Sequence, residues 1–183
     1  MTDERFDSLA VIEAALWREL ATAPHDQQHP WRTPTLATTD GQIGDARTVV
    51  LRETDAAAKR LTIFSDARAT KVAQLCAHPL GTLVMWSPAL NWQLRLRVEL
   101  QVHADGLAVS SYWAHLKLSP AAHDYLSALA PGSALDNALG ARGERAHFAL
   151  ITADVLSVDW LELHAMGHRR ARFAGGTSTW LQA

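Results

Sequence analysis

The clearest pattern in the chain lies at residues 92–103. There Trp92, Leu94, Leu96, Val98, Leu100 and Val102 alternate without a break against Gln93, Arg95, Arg97, Glu99, Gln101 and His103. A period of two sends successive side chains to opposite faces, so this segment predicts a long antiparallel strand with one face buried. Near the N-terminus the spacing becomes helical. Leu9, Ile12, Leu16 and Leu20 recur every three or four residues, with Asp7 or Ser8 as a cap and Pro24 beyond, which predicts a helix over about 6–22. Residues 33–39 are rich in threonine and run into Asp40-Gly41, a strong hairpin signal, and residues 46–53 read as the returning strand. Further strands are predicted at 61–65, 81–87, 147–153, 155–163 and 169–174, and helices at 68–77, 110–117 and 120–129. Asp66 is the expected cap of the helix over 68–77, whose apolar face is Val72, Leu75 and Cys76.

Strands outnumber helices, and several are joined by hairpin-length turns. The expected class is therefore mainly β with helices (α+β), an antiparallel barrel decorated by helices. At 183 residues, with no internal repeat or low-complexity linker, the chain suits a single domain, its helix at 6–22 and its barrel at about 33–174. Alanine occurs 32 times and sits on either face of a helix, which blurs the helical boundaries. Seventeen basic against 19 acidic residues give a net charge of −2, with no cationic excess for nucleic acid or a membrane surface. No run of about 18 apolar residues predicts a membrane span, and the N-terminus does not read as a signal peptide. The one cysteine, Cys76, excludes an internal disulfide and a cysteine-built zinc site; it fits the cytoplasm and reads as a buried thiol.

Candidate chemistry is sparse. His25/His29 and His164/His168 have four-residue spacing but no His-Glu-x-x-His pattern, and both pairs read as exposed loop histidines, so no metal site is expected. No Gly-x-Ser-x-Gly and no glycine-rich phosphate loop occurs. What remains is a set of cations beside a strand end and a helix start: Arg47, then Arg68 and Lys71 after Ser65-Asp66. A helix N-terminus with a hydroxyl and cations suits a phosphate; the plainer alternative leaves Asp66 as a cap and the cations in solvent. Arg47 and Arg52 are five residues apart, so an unbroken strand would point them to opposite faces; they serve one ligand only across a bulge or past a strand end. Gln93, Arg95 and Arg97 share the polar face of the long strand, either solvated or, for Gln93, facing a flat heteroaromatic ring.

The order Arg47-Thr-Val-Val-Leu-Arg52, Ile63-Phe-Ser-Asp-Ala-Arg-Ala-Thr-Lys71, His78-Pro79, Trp86 and Gln93-Leu-Arg resembles the pyridoxamine 5′-phosphate oxidase superfamily over roughly residues 30–174. It is most similar to the oxidase-related FMN-binding branch that carries Thr-Asp-x-Arg-Ser-x-Lys and Gln-Leu-Arg motifs. The resemblance implies an FMN-binding split β-barrel of Greek-key type, a homodimer with FMN at the subunit interface. By resemblance, Arg47, Thr48, Val49, Val50, Leu51 and Arg52 run beside the flavin and its phosphate, and Phe64 and Ser65 contact the cofactor. Lys71 matches the phosphate-binding lysine and Arg68 the branch's arginine, while Thr70 stands where the true oxidases have an arginine. Gln93 resembles the glutamine that bonds the ring, Ser133 the serine near the phosphate, and Arg172 the arginine on the N1 side. On the substrate side, Arg52 replaces a lysine, Leu116 a loop arginine and Leu161 a tryptophan, so the cofactor half carries over more fully than the pyridoxal-phosphate half. The implied function is an FMN-dependent oxidoreductase, with hydride transfer between a small substrate and flavin N5. The alternatives are a non-catalytic flavin carrier, or a split barrel that binds haem or a deazaflavin.

Overall fold

The computed structural model describes residues 5–135 and 147–183. The alternating segment forms β6 (Trp92–His103), the spine of an antiparallel sheet in which nine strands are described. Its apolar residues Leu94, Leu96, Val98 and Leu100 are buried, each contributing about 1.5–3 kcal/mol by leaving water. On either side of β6 lie β5 (Leu80–Ser87) and β7 (Phe148–Glu162). The β6–β7 register shifts between Arg97 and Val98, and on either side of this bulge β7 takes different partners. Its first half pairs with β4 (Arg60–Asp66) and its second half with β8 (Arg169–Ala174). One strand shared in this way splits the barrel. The strands expected at 147–153 and 155–163 are therefore one strand, and the barrel continues past 174 into β9 (Thr177–Leu181), which pairs with β8.

β1 (Thr35–Thr39) and β2 (Gly44–Thr48) form the expected hairpin. Asp40 Oδ1 accepts the backbone N–H of Gln42 and Ile43, both at 2.8 Å. Gly41 takes φ +93°, and a Cβ there would meet His78 Nε2 at 2.9 Å. The returning strand expected at 46–53 is broken. β2 stops at Thr48, the Val49 N–H turns back to the Pro34 carbonyl (2.9 Å), and β3 runs Leu51–Asp55. The β3–β4 pairing then skips Arg52, which lies in a bulge between Leu51 and Glu53.

Three helices cover the sheet among the described residues. α1 (Leu9–Thr22) buries Ile12, Leu16 and Leu20, and Ser8 holds its N-cap position without a side-chain bond. α2 (Thr70–Ala77) starts later than expected, and its N-cap is Ala69, not Asp66. It buries Val72 and Leu75 but exposes Cys76, against the buried thiol expected; Gln74 is the polar residue it turns inward. α3 (Gly106–Leu116) starts earlier than expected, and only a short 3-10 turn, Pro120–Tyr125, stands where a helix over 120–129 was predicted. None of the described helices is long and apolar enough to cross a membrane. His29 is no exposed loop histidine: its Nδ1 accepts the Trp31 N–H and its Nε2 bonds Glu19, both at 3.1 Å.

Buried Glu162, near the end of β7, ties the N-terminal segment to β8. It accepts from Arg5 (2.7 Å) and from Arg169 (2.8 Å). Burial pushes its carboxyl up, but the bonds from Arg169 and Arg5 outweigh burial and hold it below its usual value. A carboxyl depressed in the folded state contributes stability at neutral pH that is lost as pH falls through the carboxylate range. Glu162→Gln is expected to lower the urea midpoint at neutral pH and to flatten the loss of stability between about pH 5 and pH 3, read from unfolding curves across that range.

Candidate functional site

The break after β2 brings Arg47 against α2. Arg47 pairs with Leu36 in the β1–β2 register, so it lies on the barrel side of the sheet. Its guanidinium donates to Thr38 Oγ1 (2.6 Å), Gln74 Oε1 (3.0 Å), the Leu36 carbonyl (3.3 Å) and Asp45. Lys71, in the first turn of α2, is half-buried and has no hydrogen-bond or ion-pair partner among the described residues. Burial, and after it the charge of Arg47, push its ammonium below the ordinary lysine value, which Asp66 offsets only in part. Among the described residues no side chain caps the N-terminus of α2. Two neighbouring cations beside open helical N–H groups form a place where an anion relieves electrostatic strain.

Across Leu51, which is buried in the core, the bulge turns Arg52 toward α3. Its guanidinium lies 5.4 Å from the centroid of Phe64, and its Nε is buried without a partner among the described residues. Phe64 belongs to a second, aromatic cluster: its ring stands edge-on to Tyr112 (5.5 Å) and Phe148 (4.9 Å), with Trp113, Leu116 and Tyr125 around it. The Tyr112 hydroxyl donates to Glu53. Burial and that bond push its pKa up to about 12, so it stays a donor at neutral pH.

Arg68 is committed elsewhere. It donates to Asp66 from Nε (3.0 Å) and Nη2 (2.7 Å), and to the carbonyls of Ser127, Ala128 and Leu129 at 3.0, 3.3 and 3.1 Å. Burial pushes the Asp66 carboxyl up, but Arg68 overrides it and holds the carboxyl low. Arg68 thus pins the loop that leads to Ser133, and Asp66 and Ser133 line one cavity of about 270 Å³. Ser65 is buried, its hydroxyl on the Asp66 carbonyl (3.1 Å), and Thr70 opens α2 exposed to solvent. Val49 is buried and Val50 half-buried at the chain break.

The remaining residues lie on the other face. Along one row of the sheet Arg47 is followed by Leu36, Leu83, Leu96, Val158 and Phe173, all five buried. The adjacent row reads Thr48, Thr35, Val84, Arg95, Asp159 and Arg172, and Gln93 shares its face. Gln93 and Arg172 are therefore on the face opposite Arg47. Asp159 gathers this side, accepting from Arg95 (2.8 Å) and Arg170 (2.8 Å), with Arg172 at 4.0 Å. A small cavity of about 90 Å³ opens there between Thr82, Arg95, Arg97, Ser157, Asp159 and Arg172. Trp86 stands on the same open face, 41% exposed. Among the described residues, no group of three or more histidine, cysteine or carboxylate side chains could hold a metal.

An antiparallel sheet with one long strand shared between two halves has the architecture of the split β-barrel class. Residues 14–104 belong to the FMN-binding domain family of pyridoxamine 5′-phosphate oxidase. Solved structures share the fold over nearly the whole chain. One is a pyridoxamine 5′-phosphate oxidase-related, FMN-binding protein from Nostoc punctiforme PCC 73102, with 19% identity, coverage of 96% of this chain and 100% of that one, and a TM-score of 0.72. Another is PhzG from Burkholderia lata 383 in complex with tetrahydrophenazine-1-carboxylic acid, with 16% identity, 99% and 98% coverage and a TM-score of 0.77. General Stress Protein 26 from Bacillus anthracis str. Sterne is more distant, with 14% identity, 79% and 92% coverage and a TM-score of 0.52. No curated protein matches the chain.

FMN is the cofactor of this domain family, and the residues present suit it. The partnerless Lys71 and the open N-terminus of α2 provide for a phosphate, and the orphaned Arg52 Nε beside Phe64 provides a polar and aromatic wall. The matched segment holds Arg47, Arg52, Phe64, Lys71 and Gln93 but neither Ser133 nor Arg172. Sequence reasoning missed Thr38, Asp45 and Gln74 around Arg47, although Leu36 and Thr38 share strand parity and Gln74 follows Lys71 by one helical turn. A lysine whose charge is disfavoured in the folded state destabilises the ligand-free protein at neutral pH. Lys71→Met is expected to raise the thermal midpoint of flavin-free protein while lowering its FMN affinity; a lower midpoint would show that Lys71 is already stabilised without an anion.

Proposed function

We propose that the protein is a cytoplasmic FMN-dependent oxidoreductase that acts as a homodimer on a small substrate. The observation that carries this reading is the meeting of Arg47 and Lys71 at the uncapped N-terminus of α2. Arg47 and Lys71 would hold the FMN phosphate by charge-assisted hydrogen bonds, with the backbone of residues 47–52 running beside the ring. Phe64 and Ser65 would close that side. Bound FMN would supply the redox chemistry, exchanging a hydride with the substrate at N5. Gln93 and Arg172 would come from the second copy, Gln93 bonding the ring and Arg172 favouring negative charge near N1. Their position on the face opposite Arg47 supports a site shared by two chains.

The charge around Phe64 supports a substrate without a phosphate. Arg52 stands there with Glu53, and the neighbouring wall is Tyr112, Trp113 and Leu116. One cation beside one carboxylate does not neutralise a dianion, whereas a neutral or singly charged ring fits an aromatic cluster. PhzG, which shares the fold, was solved in complex with a ring carboxylic acid, tetrahydrophenazine-1-carboxylic acid.

Purified protein is expected to be yellow, to release FMN on denaturation, and to have twice the 20.0 kDa mass of one chain by light scattering. Arg47→Ala with Lys71→Ala should remove the flavin and leave the circular dichroism spectrum unchanged; full flavin content in that variant would refute the phosphate site. Anaerobic bleaching of the bound flavin by a substrate or by NAD(P)H separates an enzyme from a carrier.

A further inference from the structure

We propose that Thr38 and Gln74 are positioning residues that aim Arg47 at the phosphate and so set how far the site prefers FMN to riboflavin; this rests on the FMN reading above. Both are buried polar side chains, Thr38 5% and Gln74 9% exposed, on separate elements, β1 and α2. The Thr38 hydroxyl donates to Gln74 Oε1 (2.5 Å) and accepts from Arg47 Nη1 (2.6 Å). Gln74 Oε1 accepts from Arg47 Nη2 as well (3.0 Å), and the Leu36 carbonyl takes the other Nη1 hydrogen (3.3 Å). Three of the five guanidinium N–H groups thus rest on neutral acceptors fixed in the barrel. The fourth rests on Asp45, whose side chain is 49% exposed on the hairpin, and Nε has no partner among the described residues.

This division of partners has a chemical sense. Neutral acceptors orient a guanidinium without cancelling its charge, whereas a buried carboxylate in the place of Gln74 would. An arriving phosphate would displace Asp45, whose Oδ2 also accepts from Gln74 Nε2 at 3.5 Å, and would gain Nε in addition. Gln74 lies three residues after Lys71 on α2, so the same short helix carries one phosphate cation and the bracket that holds the other. Without that bracket Arg47 would have to be ordered when the ligand binds, at a cost in affinity. Riboflavin lacks the phosphate and gains nothing from the bracket.

The test is titration of flavin-free, full-length protein with FMN and, separately, with riboflavin, read by flavin fluorescence. Thr38→Val preserves shape and Gln74→Met nearly preserves length; each is expected to weaken FMN about tenfold, the scale of one charge-assisted hydrogen bond, with riboflavin unchanged. Thr38→Ser, which keeps the hydroxyl, should retain the preference of the unmodified protein. An unchanged FMN-to-riboflavin ratio in Thr38→Val and Gln74→Met, or an equal loss of both ligands, overturns the positioning role. Arg47→Ala with Lys71→Ala separates the two levels. If that variant loses the FMN preference and the Thr38 and Gln74 variants keep it, only the positioning role fails; if that variant keeps it too, the phosphate site itself fails.

Discussion

β6 can bury only one of its faces, and the placement of every other functional group follows from that constraint. Its leucines and valines fill the barrel, which forces Gln93, Arg95 and Arg97 onto the opposite side. Because each neighbouring strand is in register with β6 or with a strand beside it, the same division runs across the sheet from β2 to β8. Thr48 and Arg172 inherit the outer face, Arg47 and Leu36 the inner one. A single-residue slip would exchange the two sets. The burial of six or so apolar side chains therefore decides which polar residues can meet one ligand in one chain.

Two departures from regular geometry do the local work. The interruption at Val49 and Val50 ends one ladder and starts another, so Arg47 stays beside α2 while Leu51 returns to the core. The bulge at Arg52 adds one residue, which turns both Arg52 and Glu53 toward α3. Together they place one cation at a helix N-terminus and another against an aromatic ring, from a stretch of only six residues. Charge is treated differently at the two ends. Around Glu162, Asp159 and Asp66 each buried carboxylate has arginine partners, as a structural ion pair requires. Lys71 has none among the described residues, and a half-buried cation left so is tolerated in a folded chain only at a cost to stability.

The sequence disclosed most where periodicity was undiluted. The alternation at 92–103 matches β6 end to end, and Asp40-Gly41 marks the hairpin turn that Asp40 closes. It disclosed least where a bulge changed parity. Residues 148–162 look like two strands because the bulge opposite Arg97/Val98 breaks the alternation, yet the hydrogen-bonded ladder runs on through it. α2 misled for another reason: in eight residues Ala73 and Ala77 dilute the apolar face, and Gln74 is turned inward by bonds to Thr38 and Arg47 that no local pattern encodes. Asp66 reads as a cap because capping needs only neighbours in sequence, but its chosen partner, Arg68, also reaches a loop some 60 residues away. The parity conflict between Arg47 and Arg52 was visible beforehand; that both a break and a bulge resolve it was not.

The open outer face raises the question of what covers it, and the charge pattern constrains the answer. Asp159 is nearly buried and already shared by Arg95 and Arg170, so it has little left for Arg172, which is half exposed. Arg97, across a small cavity from Arg172, has no carboxylate partner among the described residues. A face with more arginine than acid repels an identical arginine row pressed directly onto it. That repulsion would ease in the proposed dimer, where an anionic, flat ligand would lie between two copies, with the inner-face cations of one chain at its phosphate and the outer-face arginine of the other at its ring. The ligand would then be part of the interface, and flavin content and association of the two chains would rise and fall together.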